Sequence, residues 1–268
     1  MPRSMRLKTL NQNKHKDMQK KIIFGISLSA IFAILITISI LFFSTQIITM
    51  IFCKVMFSKY PVVYKVPEKI TLGNYFFTNT TKFSCFGDDF EFPWSDIAKQ
   101  SVSQNFSMIS FKSGILVTIL SPEFSTDFAQ TFKNKDPKKA KLYYSFLGEK
   151  ALQDDYNFYK VILNTTPKDI SLFKSPKKDV GITIKLVLKN LLAINGNSGI
   201  YEFDNGKFHT FQFGNPSMAK FIVFSIFNEK NKRLDFFLFD KKHKNKVNIS
   251  QKEINFIVSS IKHSCLSE

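Results

Sequence analysis

His209 and Glu202 are the residues whose types and placement come closest to acid–base chemistry. Asn205-Gly206 lies between the segments GIYEFD and KFHTFQF, a pattern typical of a β-hairpin closed by a two-residue type I′ turn. In that register Glu202 faces His209, and a carboxylate beside an imidazole can orient a general base. An ordinary pair of opposite charges on a hairpin surface has the same pattern, and we favour that interpretation.

Asp88, Asp89 and Glu91 form an acidic cluster, and such clusters can bind divalent cations or exchange protons. Their spacing matches no calcium-loop signature, and Gly87-Asp88 explains the cluster as a turn between two strands. The chain also lacks the motifs G-x-S-x-G, H-E-x-x-H, G-x-x-x-x-G-K-S/T and G-x-G-x-x-G. We therefore predict no metal site, no cofactor and no catalytic residue, and an enzyme is the less favoured class.

The segment Phe92-Pro93-Trp94 holds the only tryptophan of the chain. Aromatic side chains at this position could form the floor of a pocket for a lipid or another apolar ligand. Packing of the tryptophan against the end of a sheet is the alternative, and it is the more usual one. The candidate ligand-binding residues are therefore Trp94, Phe92, His209 and Glu202.

Three cysteines cannot all pair within one chain. Cys85 and Cys265 are the candidate disulfide, because the domain that contains them is predicted to face an oxidising compartment. Cys53 lies close to the predicted membrane segment, where it would pair with a second copy or stay free. Three unpaired thiols are the alternative, and the sequence does not decide between the two.

The segment 22–43 contains 22 residues without a charge. If it crosses a membrane, it determines on which side of that membrane the rest of the chain lies. A helix of that length spans about 33 Å, which exceeds the roughly 30 Å of bilayer hydrocarbon. Seven Lys or Arg residues precede it, so the positive-inside rule predicts a cytoplasmic N-terminus and a C-terminal domain outside the cytoplasmic membrane. The segment is too long for the core of a cleaved signal peptide, and we predict a single-pass signal anchor.

The predicted organisation has four parts: a basic cytoplasmic tail at 1–21, a transmembrane helix at 22–44, a juxtamembrane segment and linker at 45–69, and an extracytoplasmic domain at 70–268. Within the linker, residues 45–57 stay apolar and either extend the membrane helix or lie along the interface. Two prolines then favour an extended connector at 59–69. About 200 residues remain, enough for one domain with its own core.

The net charge of +17 raises the question of a nucleic-acid partner. Only three of the 38 basic residues are arginine, namely Arg3, Arg6 and Arg233. Nucleic-acid-binding proteins rely on arginine for bidentate contacts with phosphate and guanine. We therefore expect a solvated, lysine-rich surface rather than a nucleic-acid interface.

Local patterns predict the elements of the domain. Strand-like segments bounded by turn residues occur at 83–92, 106–111, 115–120, 199–213, 220–227 and 233–240. A capping residue before a proline marks four predicted helix starts, at Ser121-Pro122, Asp136-Pro137, Thr166-Pro167 and Ser175-Pro176. Residues 180–194 alternate like a strand but also fit a helix, and the proline before them with Asn195-Gly196 after them favours the helix.

Two further helices have clear N-terminal signals. Asp154-Asp155 is the predicted cap of a helix that ends near Leu163, and Ser250 with Glu253 forms a capping box. Together these elements predict an α+β domain in which helices cover an antiparallel sheet. We expect a protein that binds a protein or envelope component without catalysis. A small apolar-ligand or lipid-binding sensor or carrier is the alternative, and an envelope hydrolase is the third.

Overall fold

The structure is a computed structural model that describes residues 36–37, 44, 47–125, 127–133, 137–170, 176–193, 196, 198–204, 206, 208–228, 232–243 and 247–263. The chain divides into two compact units, Met1–Ile48 and Thr49–Glu268, and the second unit holds both sheets and the helices that cover them. No helix in these ranges is both long enough and apolar enough to cross a bilayer. The predicted transmembrane helix at 22–44 lies almost wholly outside them and stays a prediction.

The elements of the second unit follow in chain order. The helices are α1 at residues 47–57, of which 49–57 belong to this unit, α2 Phe128–Lys133, α3 Pro137–Leu147, α4 Asp155–Asn164, α5 Pro176–Leu192 and α6 Gln251–Ser260. The strands are β1 Glu68–Ile70, β2 Thr81–Cys85, β3 Asp88–Phe92, β4 Ile97–Val102, β5 Phe106–Phe111, β6 Ile115–Leu120, β7 Ile200–Asp204, β8 His209–Phe213, β9 Phe221–Phe227, β10 Arg233–Asp240 and β11 Lys262–His263. Short 3₁₀ helices lie at Pro61–Tyr64, Lys150–Leu152 and Pro167–Asp169.

Eight strands form the main sheet in the order β1-β7-β8-β9-β10-β6-β5-β4, and three form a small sheet in the order β11-β3-β2. Strand β1 pairs with β7 in parallel, and the other ladders of these strands are antiparallel. The α+β class that the sequence predicts is confirmed. Strands β1 and β4, which the sequence did not indicate, form the two edges of the main sheet, and β2–β3 belong to the separate small sheet.

The main sheet is the middle layer between two apolar cores. The small sheet and α6 cover one face, where Phe224 and Phe236 are buried. Helices α1 to α5 cover the other face, where Phe211 and Phe227 are buried. Because side chains alternate between the faces of a strand, strands buried on both faces read as continuous apolar runs, as in β9.

Short-range signals place several elements correctly. The β5–β6 hairpin pairs Phe106 with Leu120 through Ser110 with Leu116, and its two strands have the predicted bounds. At the start of α6, the Ser250 hydroxyl accepts from the Glu253 N–H at 3.2 Å, and the Ser250 N–H donates to the Glu253 carboxylate at 2.7 Å. The predicted capping box is therefore confirmed.

One predicted helix start is wrong. Ser121-Pro122 begins only an isolated turn, in which the Ser121 hydroxyl accepts from the Phe124 N–H at 3.2 Å. Helix α2 starts at Phe128, and Asp127 supplies the capping oxygen to the Gln130 N–H at 2.6 Å. The reason is that Phe124 remains exposed instead of packing on the helical stripe that its spacing suggests.

Two strand–turn–strand predictions need a correction of register. In β2–β3 the turn is Phe86-Gly87, both with positive φ, rather than Gly87-Asp88. In β7–β8 the ladder pairs Asp204 with His209, so the connection has four residues and Glu202 does not face His209. The longer loop arises because Phe208 leaves the ladder and is buried in the core on the side of the small sheet.

The segment 59–69, predicted as an extended connector, holds a 3₁₀ helix and the first strand. Val62 and Val63 are buried in the helical core. The ammonium of Lys189 on α5, which is also buried, donates to the carbonyl of Lys65 and to that of Thr165 at 2.8 Å. Burial lowers the pKa of Lys189 to about 8. This contact holds the segment that precedes β1 against helix α5.

Candidate ligand-binding groove

An open groove of about 480 Å³ lies on the helical face of the main sheet, a volume within the range of small-molecule sites. Its apolar lining comes from β6, β8, β9, β10, the turn after β6 and the ends of two helices: Leu120, Phe124, Phe128, Leu191, Leu192, Phe213, Phe221, Val223 and Phe237. Phe124 and Leu191 are 58% and 64% exposed, although both are apolar. The groove therefore presents apolar surface to solvent.

The polar floor of the groove is organised by Arg233, the only arginine of the chain after Arg6. Arg233 is buried, and its guanidinium lies 5.2 Å from the ring centre of Phe128 and 5.3 Å from that of Tyr159. It donates to Asp155 at 2.8 Å and to Asp235 at 3.1 Å. One cation therefore serves two carboxylates from distant parts of the chain.

Two hydroxyl groups complete the environment of Asp235. Ser225 donates to one carboxylate oxygen at 2.6 Å, and Ser125 donates to the other at 3.0 Å. Asp235, Ser125 and Ser225 all line the groove, whereas Asp155 accepts from the Ala129 N–H at 3.0 Å at the start of α2. The network thus joins α2, α4, β9 and β10 beneath the groove.

Burial raises the pKa of Asp155 to about 6, although the Ala129 N–H and Arg233 act in the opposite direction. The physical reason is that Arg233 is shared with Asp235 and does not fully offset the desolvation of a second carboxylate. Burial alone would lower the pKa of Arg233, but the charges of its partners outweigh burial and raise it. One guanidinium faces two carboxylates, so the formal charges of Arg233, Asp155 and Asp235 leave an excess of negative charge.

The raised pKa of Asp155 predicts a pH dependence of stability. Between about pH 4 and 6 the folded state holds this proton more tightly than the unfolded chain, so stability falls as the pH rises through that window. From pH 5 to pH 7 we expect Asp155 to reduce the free energy of unfolding by about 1 kcal/mol. Urea unfolding of the full chain and of Asp155→Asn in detergent micelles measures the difference. Identical pH dependence in the two proteins would contradict the assignment.

A second cavity, of about 570 Å³, lies beside β1 and the start of α6. Its lining is more polar, and several of these groups bond to one another. The amide of Asn215 donates to the Tyr201 hydroxyl at 2.8 Å and accepts from Ser217 at 2.6 Å. We give the apolar groove precedence because it combines apolar walls with a buried, charged floor.

The structure places Trp94 and Phe92 on the other side of the main sheet, away from the groove. Phe92 is buried, Trp94 stacks on it at 6.4 Å, and Trp94 meets Phe111 edge-on at 5.2 Å. The indole N–H donates to Glu253 at 2.9 Å. These contacts attach α6 to the strands, which is the packing arrangement that the sequence offered as the alternative to a pocket floor.

His209 and Glu202 both contact Tyr156 of α4. The imidazole of His209 stacks on the Tyr156 ring at 4.1 Å, and the Tyr156 hydroxyl donates to Glu202 at 3.5 Å. Lys160 donates to the Tyr156 oxygen at 2.7 Å and lies 3.6 Å from Glu202. The four predicted ligand-binding residues are therefore split between the two faces of the main sheet and do not form one site.

Neither Tyr156 nor Lys160 is suited to act as a general base. Burial raises the pKa of Tyr156, and the hydrogen bond from Lys160 to Tyr156 raises the pKa of Lys160. Both groups consequently keep their protons at neutral pH, whereas a general base must lose its proton there. The cluster attaches the β7–β8 hairpin to α4.

Cys85 is buried in the core on the side of the small sheet, and burial raises its pKa to about 12. Cys53 is also buried, on α1. Cys265 lies outside the described residues, so the Cys85–Cys265 disulfide stays a prediction. Within the ranges that the structure describes, no group of three or more His, Cys, Asp or Glu side chains is arranged to hold a metal ion.

Comparison of the chain with protein-family models, with curated protein sequences and with solved structures finds no match. The arguments about function therefore rest on the groove and on the sequence. Sequence reasoning missed the network around Arg233, although one signal was present. In a chain that uses lysine for nearly all of its cations, a single arginine within the predicted domain at 70–268 indicates a position that needs a planar, bidentate donor.

Proposed function

We propose that this chain is a membrane-anchored, non-catalytic binding protein whose domain takes up a small amphipathic ligand in the groove. The observation that carries the proposal is the combination of an apolar lining with a buried ion network at the floor. A ligand site typically has mainly apolar walls and a few polar groups that fix orientation. This favours the small-ligand alternative over the protein or envelope partner that the sequence suggests first.

The charge at the floor specifies the polar end of the ligand. Two carboxylates, Asp155 and Asp235, face one guanidinium, and Arg233 and Asp235 are the charged side chains in the lining. A ligand head with a positive charge and hydrogen-bond donors would offset the excess negative charge. We therefore propose an apolar or aromatic body with an amine head that approaches Asp235.

Three small probes with the same aromatic body and different heads test this ligand class: phenethylammonium, 2-phenylethanol and 3-phenylpropionate. The full chain in lipid nanodiscs is titrated with each probe, protein-free nanodiscs are the blank, and binding is followed by saturation-transfer NMR. We expect phenethylammonium to bind about tenfold more tightly than 3-phenylpropionate, a difference of about 1.4 kcal/mol, with the alcohol between them.

Two matched variants locate the site. Asp235→Asn should abolish the preference for the amine, because the remaining Asp155 is then balanced by Arg233. Asp240→Asn is the control, since Asp240 is a buried aspartate of the same strand that bonds to His243 at 2.7 Å instead. Equal binding of all three probes would contradict the amine head. Absence of binding by all three would contradict the small-ligand function and favour a protein or envelope partner.

The membrane location is part of the proposal and comes from the sequence. The uncharged segment 22–43 and the basic residues before it support a single-pass anchor with the domain outside the cytoplasmic membrane. Protease digestion of a C-terminal tag in intact spheroplasts tests this orientation. Protection of the tag, with a cytoplasmic control also protected, would reverse the topology.

A further inference from the structure

Helix α1 has two unlike faces. Cys53 and Phe57 are buried in the helical core, and the Cys53 sulfur lies 3.5 Å from the Thr183 hydroxyl on α5. The other side exposes a set of five large apolar side chains that are each 43–67% exposed: Met50, Ile51, Phe52, Val55 and Met56. Within the part of the chain that the structure describes, α1 thus buries one side in the domain and presents the other outwards.

The residues around this apolar face match those found at a membrane surface. Lys54 and Lys59 are exposed, and long lysine side chains can extend their charge towards the headgroups while their stems lie on apolar surface. Tyr60 and Tyr64 follow and are 42% and 45% exposed. Tyrosine is enriched at the membrane–water interface, where its ring and its hydroxyl meet different environments.

The position of α1 in the chain identifies the surface that covers this face. The uncharged segment 22–43 ends four residues before residue 47, where the described part of α1 begins, and that connection spans at most about 14 Å. A bilayer that holds the segment therefore lies within reach of the exposed face. We propose that the apolar face of α1 lies in the boundary between headgroups and acyl chains, and that it docks the domain on the lipid surface. This proposal rests on the membrane anchor of the proposed function and is independent of the ligand in the groove.

Bromine-labelled lipids test the proposal by contact quenching of a new tryptophan. The full chain is reconstituted in vesicles of phosphatidylcholine with brominated acyl chains, and Val55→Trp is compared with the parent, which has only Trp94. Val102→Trp is the matched control. Val102 is 59% exposed, against 67% for Val55, and it lies on β4, the edge of the main sheet opposite β1.

We expect the brominated lipid to remove about half or more of the fluorescence that Val55→Trp adds, and to leave that of Val102→Trp nearly unchanged. Circular dichroism confirms that each variant is folded, and Met56→Trp replaces Val55→Trp if the latter is not. An unquenched tryptophan at the α1 position would overturn the proposal, and a blue-shifted but unquenched emission would mean that protein, such as a second copy, covers the face. Equal quenching at both positions would also overturn it, because lipid contact would then not be specific to α1.

Discussion

Replacement of Arg233 by methionine is expected to lower the free energy of unfolding by about 3–5 kcal/mol. The change leaves the carboxylates of Asp155 and Asp235 below the groove without their shared cation. It also removes the guanidinium from the rings of Phe128 and Tyr159. A buried ion pair contributes little when it is intact, but loss of one partner leaves an uncompensated charge in a medium of low polarity.

Thermal unfolding of the full chain in detergent micelles, followed by circular dichroism, measures this effect. For a domain of this size we expect Tm to fall by about 10 °C. The control is the triple variant Arg233→Met, Asp155→Asn, Asp235→Asn, which removes both stranded charges and should recover most of the loss. An Arg233→Met protein as stable as the parent would show that the carboxylates are not buried as the structure places them.

Replacement of Phe236 by alanine is expected to destabilise the domain by about 3–5 kcal/mol. Phe236 is completely buried at the centre of the main sheet. It stacks on Phe224 of the neighbouring strand at 4.7 Å and meets Phe90 of the small sheet edge-on at 5.0 Å. Its removal leaves a cavity between the two sheets and breaks both aromatic pairs.

Phe239→Ala is the matched control, because Phe239 lies three residues further along β10, on the opposite face of the main sheet. Its side chain is half-buried and stacks on Phe221 at 5.3 Å. We expect a loss of about 1 kcal/mol there. Equal losses in Phe236→Ala and Phe239→Ala, measured by urea unfolding, would mean that the two faces of β10 have been assigned incorrectly.

The parts of the fold that are visible in the sequence are those held by contacts between near neighbours. Ser250 and Glu253 bond within one turn, and the Asp154 carboxylate accepts from the Asn157 N–H at 2.7 Å. The β5–β6 hairpin likewise needs only the short turn before Gly114, whose φ is +105°. Each signal acts over a few residues, so the amino-acid pattern is sufficient.

Other elements depend on long-range packing that a local pattern does not contain. Strand β4 is almost wholly exposed and pairs only through β5, so it lacks the alternation of apolar and polar residues that identifies a strand. The register of β7–β8 follows from the burial of Phe208 in a core formed by distant strands. Helix α5 was predicted correctly, but its buried side includes Lys189, which no apolar periodicity reveals.

The candidate site depends on long-range contacts even more than the fold does. Asp155 and Arg233 are 78 residues apart in the chain and meet only because the fold brings the start of α4 to the start of β10. The residues selected from the sequence, Trp94 and His209 among them, are aromatic or charged and have clear packing roles in the structure. Composition alone does not separate a side chain that attaches two elements from one that faces a ligand.

The contact of Lys189 with the Lys65 carbonyl has a mechanical consequence. A force on the domain that acts through the chain before α1 would first pull α1 from the helical core, then withdraw Val62 and Val63, and then break the Lys189 contact. Only after these steps would the load reach β1 and its ladder with β7. The contacts with the helical layer would therefore break one after another before the force reached the main sheet.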